Sequence, residues 1–310
     1  MAGQPRLAGV GLFLLILLFT PAVGWLIVHG RGPTAVGVLA LSIFYLMILA
    51  RWQRGVYGLL VCLPFTGLVT LALYPWGGPV LLNPALYKDW LFVVPAYFAF
   101  LAAVVMRRER FPHLARLPSW LLLALSVLVI AQTANPQVTN FQMALIGAKV
   151  WLFYIPLYFL TAALLVSRRQ LIFLLRLMLV VAIVPCVIGV AEFALGRLYG
   201  HQTVMEAVYG TLAPEARQGF GVYEVGGGLL PRGTPSTFTF VTQFFGYLLS
   251  MLVACYVVWR TDPSPRWRRL GHSMLIFVAL NALLTGARSA FIFVPLLLFL
   301  AFGLDRGLRG

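Results

Sequence analysis

Long runs of apolar residues recur along the whole chain, and most charged residues lie in the short segments between these runs. Hydrophobic residues make up 61% of the 310 residues and charged residues only 10%. A soluble domain carries roughly 45–50% apolar and about 25% charged residues. So few charged side chains cannot cover the surface of a soluble protein of this size. The composition therefore excludes a soluble globular enzyme and predicts a polytopic membrane protein.

The spacing of the apolar runs predicts an all-α bundle of about ten membrane spans, forming a single integral membrane domain over residues 1–310. A helix needs about 20 residues to cross the ~30 Å hydrocarbon layer. The predicted spans cover residues 7–29, 34–50, 56–74, 89–106, 119–132, 145–167, 171–195, 236–259, 272–285 and 289–303. The last two runs would make one helix too long for the membrane, so we predict a break at Gly286-Ala287-Arg288.

The positive charges give these spans an orientation, because cytoplasmic loops of membrane proteins are enriched in Lys and Arg. With the N-terminus inside, the inner segments hold 15 such residues and the outer segments seven. This bias predicts that both termini are cytoplasmic and that one long loop, residues 196–235, lies outside. It also accounts for the net charge of +15 without a nucleic-acid partner.

Four cations fall at the predicted outer membrane boundary, where this charge rule disfavours them. Lys88, Lys149, Arg232 and Arg288 each lie beside the start of a predicted span. Any one of them could be an ordinary helix-end residue that extends its charge into water. Together they predict a site for a lipid-linked anion, most obviously a diphosphate. Arg offers a bidentate fork to phosphate, Lys a point charge, and a helix N-terminus adds N–H donors.

Two further charged residues lie within the seventh predicted span. Arg176 is close to the inner end of the span, and we expect its side chain to extend back to the cytoplasmic face. Glu192 lies near the outer end. An ionisable residue at that depth is either functional or an interfacial residue of no special role.

The long outer loop supplies only weak candidates for a catalytic proton acceptor, of which we name His201 and Glu224. The run Gly226-Gly227-Gly228 lacks the residues of a phosphate-binding loop and is predicted to be a flexible hinge leading to Arg232. The sequence carries no metal-binding, nucleophile-elbow or nucleotide-binding motif, so we predict neither a metal nor a cofactor.

Three segments resemble the O-antigen ligase and O-antigen polymerase family. PRGTPSTF (residues 231–238), followed by QFFGYL (243–248), is similar to the family's Arg-containing stretch and the helix start after it. LTGARSA (284–290) is similar to a second Arg segment, with Ala287 where the family often has Ser. GVAEFALG (189–196) is similar to the end of the preceding span, with Glu192 where Gln is frequent.

This resemblance implies a glycosyltransferase of the bacterial inner membrane, described in the family as metal-independent. Such enzymes move a glycan from undecaprenyl diphosphate to a glycan, lipid or protein acceptor on the outer face. Arg232 and Arg288 would hold the donor diphosphate, helped by Lys149 and Lys88. Family members also carry a catalytic His in a second large outer loop, which this sequence lacks. We therefore expect a fragment, a truncated product or a divergent member, and we do not transfer the role of that His to His201.

Two other classes of protein stay open. A transporter or flippase for an anionic or lipid-linked solute needs polar residues at the membrane midplane. The predicted spans show few of these apart from Arg176 and Asn281, which favours the enzyme. A non-catalytic subunit of a polysaccharide assembly system is the other alternative.

Overall fold

The computed structural model describes residues 32–69, 88–106, 109, 117–135, 141–209, 222–225, 228–231 and 233–307. Three helical segments in these ranges are long and apolar enough to cross a membrane, judged by length and composition: Gly147–Leu164, Arg168–Tyr199 and Val241–Thr261. Shorter apolar helices accompany them. The described chain is therefore that of a helical membrane protein. The first predicted span, 7–29, lies outside the described residues.

The chain divides into two compact units. The first unit comprises Met1–Gly58 and Asp89–Val166. Its described elements are α1 (Gly32–Ala50), the start of α2 (Gln53–Cys62), a π-helical turn (Asp89–Val93), α3 (Val94–Val105), α4 (Leu117–Thr133), α5 (Phe141–Leu152) and α6 (Ile155–Leu164).

In the first unit, aromatic side chains of α1 and the residues just after it contact those of the π-helical turn and α3. The rings of Phe44 and Phe92 meet edge to face with their centroids 5.3 Å apart, and those of Trp52 and Phe100 do so at 5.0 Å. The predicted span 145–167 is divided into α5 and α6. Pro156 lies at the start of α6, and a proline lacks the N–H that would continue the helix from the preceding turn.

The second unit comprises Leu59–Lys88 and Ser167–Gly310. Its described elements are a 3-10 turn (Leu63–Phe65), α7 (Arg168–Tyr199), α8 (His201–Tyr209), β1 (Val222–Val225), β2 (Gly228–Pro231), α9 (Val241–Thr261), α10 (Pro265–Leu284) and α11 (Ala290–Gly307). The core lies between α7, α9 and α10. Side chains that are almost completely buried there are Leu179, Ala182, Cys186, Leu248, Met251, Leu252, Cys255, Val278 and Ala282.

Helix α9 runs antiparallel to α7 and α10. Near the beginning of α7, Arg168 donates from Nη2 to the carbonyl oxygen of Thr261, the last residue of α9, at 3.5 Å. Helix α10 begins three residues after Asp262, the C-cap of α9. The ends of α7 and α10 therefore share the far side of this unit with the beginning of α9.

The helix boundaries confirm one prediction and correct two others. The break predicted at Gly286 is confirmed, because α10 ends at Leu284 and α11 begins at Ala290. The span predicted from residue 236 becomes helical only at Val241, and α10 begins at Pro265, seven residues before the predicted start. Proline suits a first helical position, where its missing N–H would have no partner within the helix.

The long loop contains a β-hairpin that the sequence analysis did not predict. Strands β1 and β2 pair antiparallel, with Glu224 opposite Leu229 and Val225 opposite Gly228. Gly228 is thus a strand residue, whereas Gly226 and Gly227 lie outside the described residues. The prediction of a flexible hinge is therefore wrong for Gly228, and for the other two glycines it lies outside the described residues.

Candidate functional site

The turn between α10 and α11 is built around a buried threonine. Thr285 caps α10 and donates its hydroxyl to the carbonyl oxygen of Ala282 at 2.7 Å. The same hydroxyl accepts the backbone N–H of Ala287 at 3.3 Å. Gly286 adopts a φ of 73°, which glycine tolerates and which commonly ends helices. These contacts fix the backbone just before Arg288, whose side chain is exposed.

Helix α11 begins two residues after Arg288, one residue later than predicted. The carbonyl oxygen of Ser289 accepts the N–H of Phe293 at 2.9 Å, which closes the first helical turn. The N–H groups of Ala290 and Ile292 in that turn already donate to carbonyl oxygens of the preceding turn, at 2.9 and 3.1 Å. A guanidinium nevertheless precedes a helix N-terminus, an arrangement that favours anions.

At Gly233, the segment that precedes α9 makes a close backbone contact with this turn. A Cβ added to Gly233 would lie 1.7 Å from the carbonyl oxygen of Thr285 and 3.3 Å from Cγ1 of Val241. Only glycine can occupy such a position. The structure thereby brings together the two motif segments that contain Arg232 and Arg288. Arg232 itself lies outside the described residues, so its side chain is not placed.

Residues 233–240 form a buried, non-helical segment in front of α9. Ser236 is fully buried with a φ of 54°, and its hydroxyl donates to the carbonyl oxygen of Pro185 in α7 at 2.5 Å. The hydroxyl of Thr237 donates to the carbonyl oxygen of Pro64. The carbonyl oxygen of Thr237 accepts the N–H of Gly67 at 2.9 Å. These bonds satisfy polar groups that would otherwise be costly to bury.

Two polar side chains line the contact of α7 with α10 below this turn. Asn281 is 1% exposed and donates from Nδ2 to the carbonyl oxygen of Phe277 at 2.9 Å. Its Oδ1 faces Gly189, where an added Cβ would lie 2.7 Å away. Glu192 is 5% exposed and follows Gly189 by one turn of α7. Thr285 follows Asn281 by one turn of α10, so the buried carboxyl group lies at the level of the Thr285 turn.

Lys149, which belongs to the first unit, is already paired. Its Nζ lies 3.1 Å from Oδ2 of Asp89, and the hydroxyl of Tyr154 donates to Oδ1 of the same carboxylate at 2.6 Å. The ammonium also lies 5.5 Å from the ring centre of Phe153. This ion pair makes Lys149 a weaker candidate for binding a diphosphate than the sequence predicts. Lys88, partly buried, is helical and belongs to the second unit.

The two candidate proton acceptors lie on separate elements of the long loop. His201 is the first residue of α8, and Glu224 lies within β1. The side chains of both residues lie outside the described part of the structure, as does any contact that they make. Among the described residues, no group of three or more His, Cys, Asp or Glu residues could hold a metal ion.

Arg176 makes an ion pair that the sequence analysis did not predict. Its guanidinium makes a fork with Asp262: Nε donates to Oδ2 at 2.9 Å and Nη2 to Oδ1 at 2.7 Å. The guanidinium also lies 5.0 Å from the ring centre of Trp267. Hydrogen bonding to Arg176 lowers the pKa of the Asp262 carboxyl below its ordinary value. The pair joins the beginning of α7 to the end of α9.

The buried hydroxyl residues before α9 are the part of the site that sequence reasoning missed. Ser236 and Thr237 were predicted to form the first turn of an apolar span, although Pro235 precedes them. A hydroxyl pair directly after proline at an apparent helix start was the available signal, because such residues favour turns and caps over helix interiors.

Comparison with known proteins adds no family assignment: no protein-family model, curated protein or solved structure matches this chain. The resemblance to O-antigen ligases and polymerases therefore stays a prediction that depends on the residues of the short motifs.

Proposed function

We propose that this chain is a multi-pass glycosyltransferase of the bacterial inner membrane. It would move a glycan from undecaprenyl diphosphate to a hydroxyl group of a glycan, lipid or protein on the outer face. The proposal includes ten spans with both termini in the cytoplasm. It combines the motif resemblance with the chemistry of the turn before α11.

The packing of the second unit supports the proposed alternation of its spans. The charge rule puts Arg168 and the segment after Thr261 on the cytoplasmic side, and these two positions are in contact. It puts Gly233 and Thr285 on the outer side, and they also meet. If the number of spans between the members of either pair were wrong by one, that pair would lie on opposite sides of the membrane and could not be in contact.

The contact between Gly233 and Thr285 is the observation that carries the functional proposal. It joins two short segments that are 52 positions apart in the chain, and each contains an arginine on the face where positive charge is disfavoured. A diphosphate carries several negative charges, and the exposed Arg288 precedes a helix N-terminus. Guanidinium forks and backbone N–H groups are the donors that bind phosphate oxygens.

The proposed reaction needs positive charge at the leaving group. The acceptor oxygen forms a bond to the anomeric carbon as the bond from that carbon to the diphosphate oxygen breaks. The electron pair of the broken bond stays on the diphosphate, where Arg288 and Arg232 would stabilise it. The hydroxyl proton passes to a base, for which His201 and Glu224 are weak candidates. No metal is required for this electron balance.

A reconstituted assay tests this proposal. Purified protein in liposomes is given a radiolabelled glycan on undecaprenyl diphosphate, and both donor binding and transfer to acceptor are measured. The Arg288→Ala variant should lose donor binding and transfer, whereas Arg197→Ala removes an exposed arginine near the end of α7 and should retain both. Equal donor binding and transfer by the two variants would show that Arg288 does not belong to the site.

A transporter for an anionic or lipid-linked solute is the second candidate, and the buried segment before α9 favours it. Discontinuous helices with polar residues at membrane depth are typical binding elements of transporters, and Ser236 contacts Pro185 well inside α7. This observation weakens the sequence argument that the spans contain few polar residues. Movement of labelled lipid-linked glycan between leaflets of the same liposomes, without transfer, would support this alternative. Donor binding with neither movement nor transfer would support a non-catalytic subunit.

A further inference from the structure

A basic cavity of about 600 Å³ lies at the end of the second unit where α9 stops and α10 begins. This is the opposite end of the unit from the Gly233–Thr285 contact. Three arginines line the cavity together with an indole, an imidazole and a hydroxyl group. These residues are Arg260, Arg268, Arg269, Trp259, His272 and Ser273, and Pro265 completes the lining.

Close packing of the two helices shapes the cavity wall. A Cβ added to Gly271 would lie 2.8 Å from the backbone nitrogen of Trp259 and 3.1 Å from the carbonyl oxygen of Cys255. The backbones of α9 and α10 therefore approach closely at this level. The approach sets the rings of Trp259 and His272 beside each other, with centroids 4.7 Å apart.

Asp262 attracts Arg268 but is shared with Arg176, so positive charge exceeds negative charge around the cavity. Arg268 and Arg269 lie near the beginning of α10. The first turn of this helix contains no acidic residue. The helix dipole is positive at this end and repels cations. Asp262 is committed to the fork with Arg176 and to the backbone N–H of Ser264, which it accepts at 2.8 Å. A bound anion would offset the repulsion between the two arginines and the helix N-terminus.

An exposed apolar track leads away from the cavity along α10. Ile276 lies one helical turn beyond His272 and is 61% exposed, and Leu280 follows one turn later at 46% exposed. These positions share one face of the helix because residues four apart are neighbours. The cavity is also next to the end of α9, one of the candidate spans. A tryptophan with basic residues at a span end is typical of the headgroup level of a membrane.

We propose that this cavity binds the phosphate group of an anionic phospholipid, with the acyl chains lying along Ile276 and Leu280. Arginine forks and the hydroxyl of Ser273 match the phosphodiester oxygens, and basic pockets between membrane helices commonly hold anionic headgroups. Soluble phosphates share the headgroup chemistry but cannot use the apolar track. The site is separate from the diphosphate site and does not depend on the proposed transferase activity.

Lipid titration of the purified full chain in mild detergent tests this site. The probes are phosphatidylglycerol, phosphatidylcholine, inorganic phosphate and glycerol 3-phosphate, and bound ligand is counted by native mass spectrometry. Phosphatidylglycerol should bind at least about tenfold more tightly than the other three. The Arg268→Gln/Arg269→Gln variant should lose about tenfold of that affinity. The control Arg169→Gln/Arg266→Gln removes two nearby exposed arginines outside the cavity lining and should change affinity less than about twofold.

The charge-preserving variant Arg268→Lys/Arg269→Lys separates a built site from a diffuse positive field. It should lose part of the affinity for phosphatidylglycerol, because lysine keeps the charge but not the fork. Loss of affinity in the control equal to that in the cavity variant would overturn the proposal. Inorganic phosphate or glycerol 3-phosphate binding as tightly as the lipid would also overturn it and identify a soluble ligand.

Discussion

Gly233 lies so close to Thr285 that any side chain would overlap the threonine carbonyl oxygen, which would be 1.7 Å from an added Cβ. A backbone-to-backbone contact of this kind fixes the distance between two segments without using a side chain. It leaves the neighbouring side chains, including the exposed Arg288, available for a ligand. The site proposed here depends on that contact.

The first prediction therefore concerns Gly233→Ala. The methyl group cannot fit against a backbone oxygen, so residues 233–240 must move and disturb the buried Ser236 and Thr237. Overpacking of this kind costs about 1–3 kcal/mol of stability. We expect a lower unfolding temperature in detergent and loss of donor binding. Gly246→Ala is the matched control, because a Cβ there meets nothing within 4 Å and alanine favours the helix. A Gly233→Ala protein as stable and active as Gly246→Ala would contradict the described contact.

A second prediction concerns the strained backbone at Ser236. The left-handed conformation costs a non-glycine residue roughly 1–2 kcal/mol, whereas the hydrogen bond to Pro185 contributes about 1 kcal/mol. Ser236→Ala loses the bond and keeps the strain, but Ser236→Gly loses the bond and relieves the strain. Thermal unfolding of the two variants should thus show alanine to be the more destabilising by roughly 1 kcal/mol. The reverse order would mean that residue 236 does not have a positive φ.

The third prediction concerns how the side chain at position 288 binds phosphate. Losing one preorganised donor to a developing oxyanion lowers the rate by about 10²–10³-fold, and we expect this loss for Arg288→Ala with normal membrane abundance. Arg288→Lys should recover only part of the rate, because lysine cannot make the bidentate fork. Arg232→Ala should behave in the same way as Arg288→Ala. Full recovery with lysine would show that charge alone matters at this position.

The fourth prediction concerns topology and is independent of any activity. Thr203, exposed on α8, belongs to the predicted outer loop, and the exposed Arg266 belongs to a predicted cytoplasmic segment. Single cysteines are introduced at these positions after Cys62, Cys186 and Cys255 are replaced. An impermeant maleimide added to intact cells should label Thr203→Cys and should label Arg266→Cys only after the cells are opened. The opposite pattern would invert the model, and labelling of both positions in intact cells would contradict the alternation of spans.

The sequence predicted those parts of the second unit that depend on local signals. A glycine in a left-handed conformation ends α10, and the chemistry of Gly286 makes such a break visible without a structure. The non-helical start before α9 was missed because residues 236–240 carry no charge and lead directly into an apolar run. The hydrogen bonds that hold this segment come from Pro64, Gly67 and Pro185, which are distant in the chain.

The ion pair of Arg176 and Asp262 was missed for the same reason. The two residues are 86 positions apart, and nothing local to Arg176 indicates a partner. A lone arginine near a helix end predicts an extended side chain by default. Only the antiparallel packing of α7 and α9 makes the carboxylate available, and packing of this kind cannot be read from composition or periodicity.

The last prediction follows from the lowered pKa of Asp262. The fork with Arg176 stabilises the charged carboxylate in the folded state, so its folded-state pKa lies below the unfolded value of about 3.9. The stabilisation is therefore fully present above that value and is lost as the pH falls through the folded-state pKa. Asp262→Asn removes the titrating group and the ion pair. The difference in unfolding temperature between wild type and Asp262→Asn should be constant from about pH 5 to 7 and should shrink below about pH 4. A difference that grows on acidification would mean that the carboxyl group is protonated in the folded protein at neutral pH, and the described ion pair would be wrong.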